Sequence, residues 1–124
     1  CCLRPGVPGV SERIRVRSIV GRFLEHHRIY YFRNNGREEV FLGSADLMPR
    51  NIDRRVEVLF PLEDPRQIAQ VRDDILGSAL ADTVKARELG EDGRYRRVTP
   101  PAGAEPFNSQ ERLVAHLGGP GLPE

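Results

Sequence analysis

Two adjacent histidines, His26 and His27, precede Arg28 in the stretch LEHHRIYYF, and Gly43-Ser44-Ala45-Asp46 follows further along the chain. Imidazole has an unperturbed pKa of about 6.5, so it can trade a proton or attack phosphorus near neutral pH. Arginine's planar fork suits two-point contacts with phosphate or carboxylate. Phosphoryl transfer asks a protein mainly for positioning and charge neutralisation. A histidine among arginines meets that demand, and a carboxylate such as Asp46 could orient the ring. Pro49-Arg50-Asn51-Ile52-Asp53-Arg54-Arg55 then supplies three more guanidiniums, at Arg50, Arg54 and Arg55. Arg54 and Arg55 could equally pair with Asp53 and Glu57. His27 reads as a residue at a helix end that complements the dipole, and His116 reads as part of a later amphipathic helix. The residues alone therefore point to an anion-binding rim, with phosphate an anion that fits.

These groups meet only if the surrounding elements bring them together. Ser11 is a fair N-cap. Behind it Val16, Ile19, Val20, Phe23 and Leu24 recur at three- and four-residue spacing, which predicts a helix over about residues 12–25. Ile29 to Phe32 is β-branched and aromatic and reads as a strand. Asn34-Asn35-Gly36 signals a hairpin, because these residues accept positive φ, and Glu39 to Leu42 is the returning strand. Folding residues 29–32 onto 39–42 carries Gly43, Ser44 and Asp46 back to the end where His26 enters. Side chains alternate along a strand, so His26, Arg28 and Tyr30 share one side. Arg55 to Phe60, RVEVLF, alternates as a third strand closed by Pro61. Asp64-Pro65 starts a helix with Ile68, Val71, Ile75, Leu76 and Leu80 inside. Lys85 to Leu89 and Arg94 to Val98 flank Glu91-Asp92-Gly93 as a second hairpin. Ser109 is expected to cap a short final helix, and Gly118 to Glu124, GGPGLPE, reads as a frayed tail. The order α-β-β-β-α-β-β-α predicts an α/β fold, with a mixed sheet flanked by helices.

The bulk properties are those of an ordinary globular protein: 124 residues, 39% hydrophobic and 30% charged. One domain is the expectation for this length. No apolar run approaches the ~20 residues of a membrane span. No basic-then-apolar leader opens the chain. It begins on Cys1-Cys2 without methionine, which reads as a piece of a longer protein. Those are its only cysteines, and sequence neighbours seldom bridge, so a reducing, cytoplasmic setting is expected. No Cys/His cluster has zinc spacing. The net charge is only +1, but residues 1–60 hold 11 Lys/Arg against 7 Asp/Glu while residues 61–124 hold 8 against 11. Lys85 is the one lysine among 19 cations. A GC-rich coding bias accounts for that excess of arginine as well as anion binding does, but not for its front-loading.

Three stretches carry a resemblance: CCLRPGVPGVSERIRVRSIVGRFLEHHRIYYF, EEVFLGSADLMPRNIDRRVEVLFPLEDP and ADTVKARELGEDGRYRRV. Together they resemble the C-terminal domain of bacterial polyphosphate kinases of the larger, phospholipase-D-like type. The likeness covers residues 1–98 as the catalytic domain, with 99–124 as its C-terminal loop, short helix and tail. It implies a fold like half of a phospholipase D, paired with a sister domain just before it. It implies reversible transfer of the ATP γ-phosphate to polyphosphate through a phosphohistidine, with magnesium. That histidine, the magnesium ligands and the adenine pocket are expected outside this chain, so the fragment alone should be inactive.

By carry-over, His26 faces the ATP phosphates and assists transfer as acid–base or charge stabiliser. From local chemistry, Asp46 is the orienter; Arg28, Ser44, Arg50, Arg54 and Arg55 are the candidate phosphate or polyphosphate contacts. His26-x-Arg28 and Gly43-Ser44 loosely match the phospholipase-D motifs. Arg28 replaces the lysine and Arg33 stands where an aspartate would fall, so phosphodiesterase activity is not implied. The expected partners are ATP or ADP, inorganic polyphosphate and the preceding domains of the same chain. A homo-oligomer is expected at full length, with no nucleic acid and no transmembrane segment. The expected location is cytoplasmic, at most peripheral to the inner membrane. The alternative is a non-catalytic module that binds a polyanion, polyphosphate or RNA. That reading wants exposed aromatics for stacking.

Overall fold

A computed structural model describes residues 3–117. Cys1, Cys2 and the tail Gly118 to Glu124, for which a reduced pair and fraying were expected, lie outside the described residues. In chain order the elements are β1 (Arg17–Ile19), β2 (Arg28–Phe32), β3 (Glu39–Gly43), α1 (Pro49–Arg54), β4 (Leu59–Pro61), α2 (Pro65–Gln70), α3 (Gly77–Ala81), β5 (Ala86–Leu89), β6 (Tyr95–Arg97) and α4 (Ser109–Leu117). A π-helical turn, Val71–Leu76, joins α2 to α3. Helices and strands are mixed, as the α/β reading required. The strands, however, form two three-stranded antiparallel sheets, β1-β5-β6 and β2-β3-β4, in place of one mixed sheet. Two compact units correspond to them: residues 24–75, and residues 3–23 with 76–117.

In the unit built from both ends of the described chain, β1 runs against β5 with Arg17 opposite Glu88 and Ile19 opposite Ala86. Pairing continues past both strand ends, from Leu89 N–H to the Val16 carbonyl (3.0 Å) and from Val20 N–H to the Lys85 carbonyl (3.1 Å). Those bonds explain why the helix expected over 12–25 is absent. Val16, Ile19 and Val20 are β-branched, suit a strand as well as a helix stripe, and find an open edge at β5. Ser11 consequently caps no helix. It is buried, accepts from Val7 N–H (3.1 Å) and donates to the Arg4 carbonyl (2.6 Å).

The second hairpin forms as expected, with Leu89 opposite Tyr95 and Gly93 at φ +77° in the turn. The Asp92 carboxyl is pulled down to about 2, first by the Arg96 guanidinium and then by Arg94 N–H. A carboxylate lowered on folding adds stability that is complete above its unfolded value, near 3.9, and is lost as pH falls through the folded value. Asp92→Asn should therefore be less stable than the wild type near neutral pH. That deficit should shrink as pH falls from about 4 through about 2 and vanish only below that. A deficit in denaturant unfolding that is unchanged at the acid end would refute the assignment.

In the other unit, β2 and β3 pair from Arg28–Gly43 through Phe32–Glu39. Asn34 and Asn35 take φ +42° and +53° in the connecting turn, the left-handed region that asparagine tolerates. Val40 on β3 is almost fully buried. Tyr31 Oη donates to Glu38 (2.6 Å), and Arg72 Nη1 donates to both Glu38 oxygens, tying the helical segment to the hairpin. Asp64 caps α2 by accepting from Arg66 N–H (2.8 Å), with Pro65 in the first turn, as the sequence indicates. The third strand is shorter than expected: residues 59–61 pair with β3 while 56–58 have no strand assignment. Ser109 is the first residue of α4 and not its cap; Asn108 Oδ1 accepts from Glu111 N–H instead (3.4 Å).

Candidate functional site

The hairpin register decides where the chemistry collects. Arg28, the first residue of β2, lies opposite Gly43, the last of β3. The approach through His26 and the exit through Ser44-Ala45-Asp46 therefore share one end of the sheet. Arg28 and Tyr30, on one side of the strand, both reach the exit loop. Arg28 Nε donates to Asp46 Oδ1 at 2.6 Å, and Tyr30 Oη donates to the Ala45 carbonyl at 2.9 Å. The loop is thereby pinned at two successive residues.

The Arg28 guanidinium, and more weakly the charges of Arg50 and His26, hold the Asp46 carboxyl below its usual range. Asp46 thus stays ionised well below neutral pH. Its hydrogen-bond partner among the described residues is Arg28, where the sequence suggested the His26 ring. His26 itself is exposed, two residues before the strand, with no hydrogen bond among the described residues. Its neighbour His27 lies 3.4 Å from Glu25.

The remaining candidates fall into two groups. Arg50 and Arg54, in the first and last turns of α1, are exposed and form no ion pair among the described residues. Ser44 and Arg55 both meet Glu57. Ser44 Oγ donates to Glu57 Oε2 (3.4 Å), and Arg55 Nη1 lies 4.0 Å from Glu57 Oε1. Arg55 thus takes the carboxylate pairing that the sequence left open. The Ser44 hydroxyl spends its proton on Glu57, and in that rotamer it offers an incoming anion no donor. Asn51 is buried, and its Oδ1 has no hydrogen-bond partner among the described residues.

Two features escaped the sequence reading. The Tyr30 hydroxyl anchors the loop; its only signal was alternation with Arg28. Gly43 is required because an added Cβ would sit 2.8 Å from the Val58 carbonyl oxygen. The signal there was a glycine at the end of a strand.

The comparisons with known proteins agree with one another. The family model described as polyphosphate kinase C-terminal domain 2 matches residues 1–110. Polyphosphate kinase 1 of Chlorobaculum tepidum is 55% identical over 114 residues, 92% of this chain and 16% of that protein. Polyphosphate kinase of Pseudomonas aeruginosa is 50% identical over 122 residues, 98% of this chain and 18% of that protein. The crystal structure of polyphosphate kinase from Porphyromonas gingivalis superimposes with a TM-score of 0.84 at 35% identity, covering 95% of this chain and 18% of that one. The chain therefore spans less than a fifth of the length of the relatives it matches.

Proposed function

Since the chain belongs to the polyphosphate kinase family, as a C-terminal domain 2, we propose that it serves the reversible transfer of the ATP γ-phosphate to inorganic polyphosphate. The observation that carries the reading is the rim where exposed His26, the Arg28–Asp46 pair and Arg50, which forms no ion pair among the described residues, stand at one end of the β2–β3 hairpin. Transfer passes through a phosphohistidine in a preceding domain. The bond between the γ-phosphorus and the bridging oxygen of ADP breaks as a bond to that histidine's nitrogen forms. Asp46 fixes Arg28 through Nε and leaves Nη2 for phosphate oxygens. Arg50 adds a second positive charge. His26 stabilises the charge that develops on ADP, or gives it a proton. Arg54 extends the positive track for polyphosphate. Ser44 and Arg55 contribute mainly by fixing Glu57.

Magnesium enters this proposal only through the rest of the protein. No three His, Cys, Asp or Glu side chains converge among the described residues, and none of these steps is routed through a metal. Among the described residues no helix is long and apolar enough to cross a membrane. The proposed setting is cytoplasmic, at most peripheral to the inner membrane, in a homo-oligomer of the full-length chain. A nucleic-acid module is disfavoured by the β2 aromatics. Tyr30 and Tyr31 are half-buried with their hydroxyls bonded, which leaves Phe32, half-exposed and edge-on to Phe41 at 6.2 Å, without a second stacking platform on its strand.

The kinetic test uses the full-length enzyme. Asp46→Asn and Arg28→Ala are each expected to lower kcat/KM for polymer synthesis by about tenfold or more, because a charge-assisted bond at the phosphates is lost. The double substitution should be no worse than Arg28→Ala alone, since Asp46 acts through Arg28. Additive losses would show that the two act separately. Unchanged kinetics in both single variants would remove this rim from the reaction.

A further inference from the structure

The segment Arg55 to Phe60 alternates as a strand in sequence, yet only Leu59 and Phe60 of it are paired. The cause is local: β3 ends at Gly43, opposite Leu59, so residues 55–58 run past the end of the strand that β4 pairs with among the described residues. Arg55 is nonetheless extended, at φ −128° and ψ +155°. Val56, Val58 and Phe60 share one face by alternation, and all three are exposed, Val56 completely. β4 is also the edge of its sheet. The bond from Leu62 N–H to the Val40 carbonyl fixes the antiparallel phase, so that Phe60 N–H faces β3 while the N–H groups of Glu57 and Leu59 face away from it. Pro61 has no N–H to offer at the next outward position, which leaves 55–59 as the open stretch. A long apolar edge of this kind is a liability unless something covers it.

We propose that in the full-length protein this edge is completed by a strand from the part of the same polypeptide outside these 124 residues. That strand pairs along residues 55–59 and covers Val56, Val58 and Phe60. More than four-fifths of each full-length relative lies outside the match, which is ample chain to supply it. Shape and register recognise the partner through backbone hydrogen bonds, with apolar side chains opposite the two valines. This inference does not depend on the chemistry assigned to His26.

Hydrogen exchange of the full-length protein, read residue by residue with mass spectrometry, tests it without a substitution. The amides of Glu57 and Leu59 should exchange at least ~100-fold more slowly than the rates of an unstructured peptide, and that protection should be independent of protein concentration. Exchange within about tenfold of unstructured rates would overturn the proposal. So would protection that vanishes as the protein is diluted into monomers, because the edge would then be covered by a second copy.

Discussion

Replacing His26 by alanine in the full-length enzyme is expected to lower ATP-dependent polyphosphate synthesis by about 100-fold or more, the usual loss when a positioned acid–base group is removed. The same loss should appear in the reverse direction, because one transition state serves both. The fold should be unaffected. His26 is exposed, precedes β2 and makes no hydrogen bond among the described residues, so the denaturation midpoint should match that of the wild type. His26→Gln separates the two roles proposed for the ring, since it retains a hydrogen-bond donor but cannot titrate. Recovery of most of the activity by glutamine would assign charge stabilisation, and continued loss would assign proton transfer. Wild-type rates in His26→Ala would dispose of the residue as a participant.

The largest expected loss of stability lies in the other unit, at Asp82. This carboxylate is completely buried. Oδ1 accepts from the N–H groups of Val84 (3.0 Å), Lys85 (2.6 Å) and Ala86 (3.0 Å). Oδ2 accepts from Ser109 N–H and Ser109 Oγ, both at 2.8 Å. Burial alone would raise its pKa, but the bonds from Ser109, Lys85 and Ala86 outweigh that and hold it below the usual carboxylate range. One side chain therefore joins the end of α3, the start of β5 and the first turn of α4. Asp82→Asn places an NH2 group against N–H donors on one side or the other and is expected to cost about 3 kcal/mol. Asp82→Ala removes the acceptor of all five bonds, with only Val84 N–H keeping a second one in the Phe107 carbonyl at 3.3 Å, and should cost at least as much. Denaturant unfolding measures either, and a change below about 0.5 kcal/mol for Asp82→Asn would contradict this role. The lowered pKa makes this stability complete above about pH 4, to be lost only as acid protonates the folded carboxyl.

Both hairpins were legible in the sequence because their determinants are local. Asn34-Asn35-Gly36 and Gly93 after Asp92 supply the positive φ angles a tight turn needs, and the flanking residues suit strands. Asp64-Pro65 announced α2 for the same reason. The meeting of Arg28 with the Ser44–Asp46 loop was legible too, since a known turn and a side-chain period of two fix which residues face each other across a hairpin.

What lay beyond the sequence depended on partners distant along the chain. Residues 12–25 satisfy a helical stripe and a strand about equally, and the open edge of β5, some seventy residues later, decided for the strand. Arg55 to Phe60 has a strand's pattern, but the length of β3 limited how much of it could pair. Nothing in the sequence marked Asp82 or Gln110. Gln110 exchanges two hydrogen bonds with the Phe23 backbone, at 3.0 and 2.8 Å, across a spot where only glycine, Gly21, leaves room. Local backbone preference is written residue by residue, whereas the choice among competing hydrogen-bond partners is made only when the folded chain brings one of them within reach.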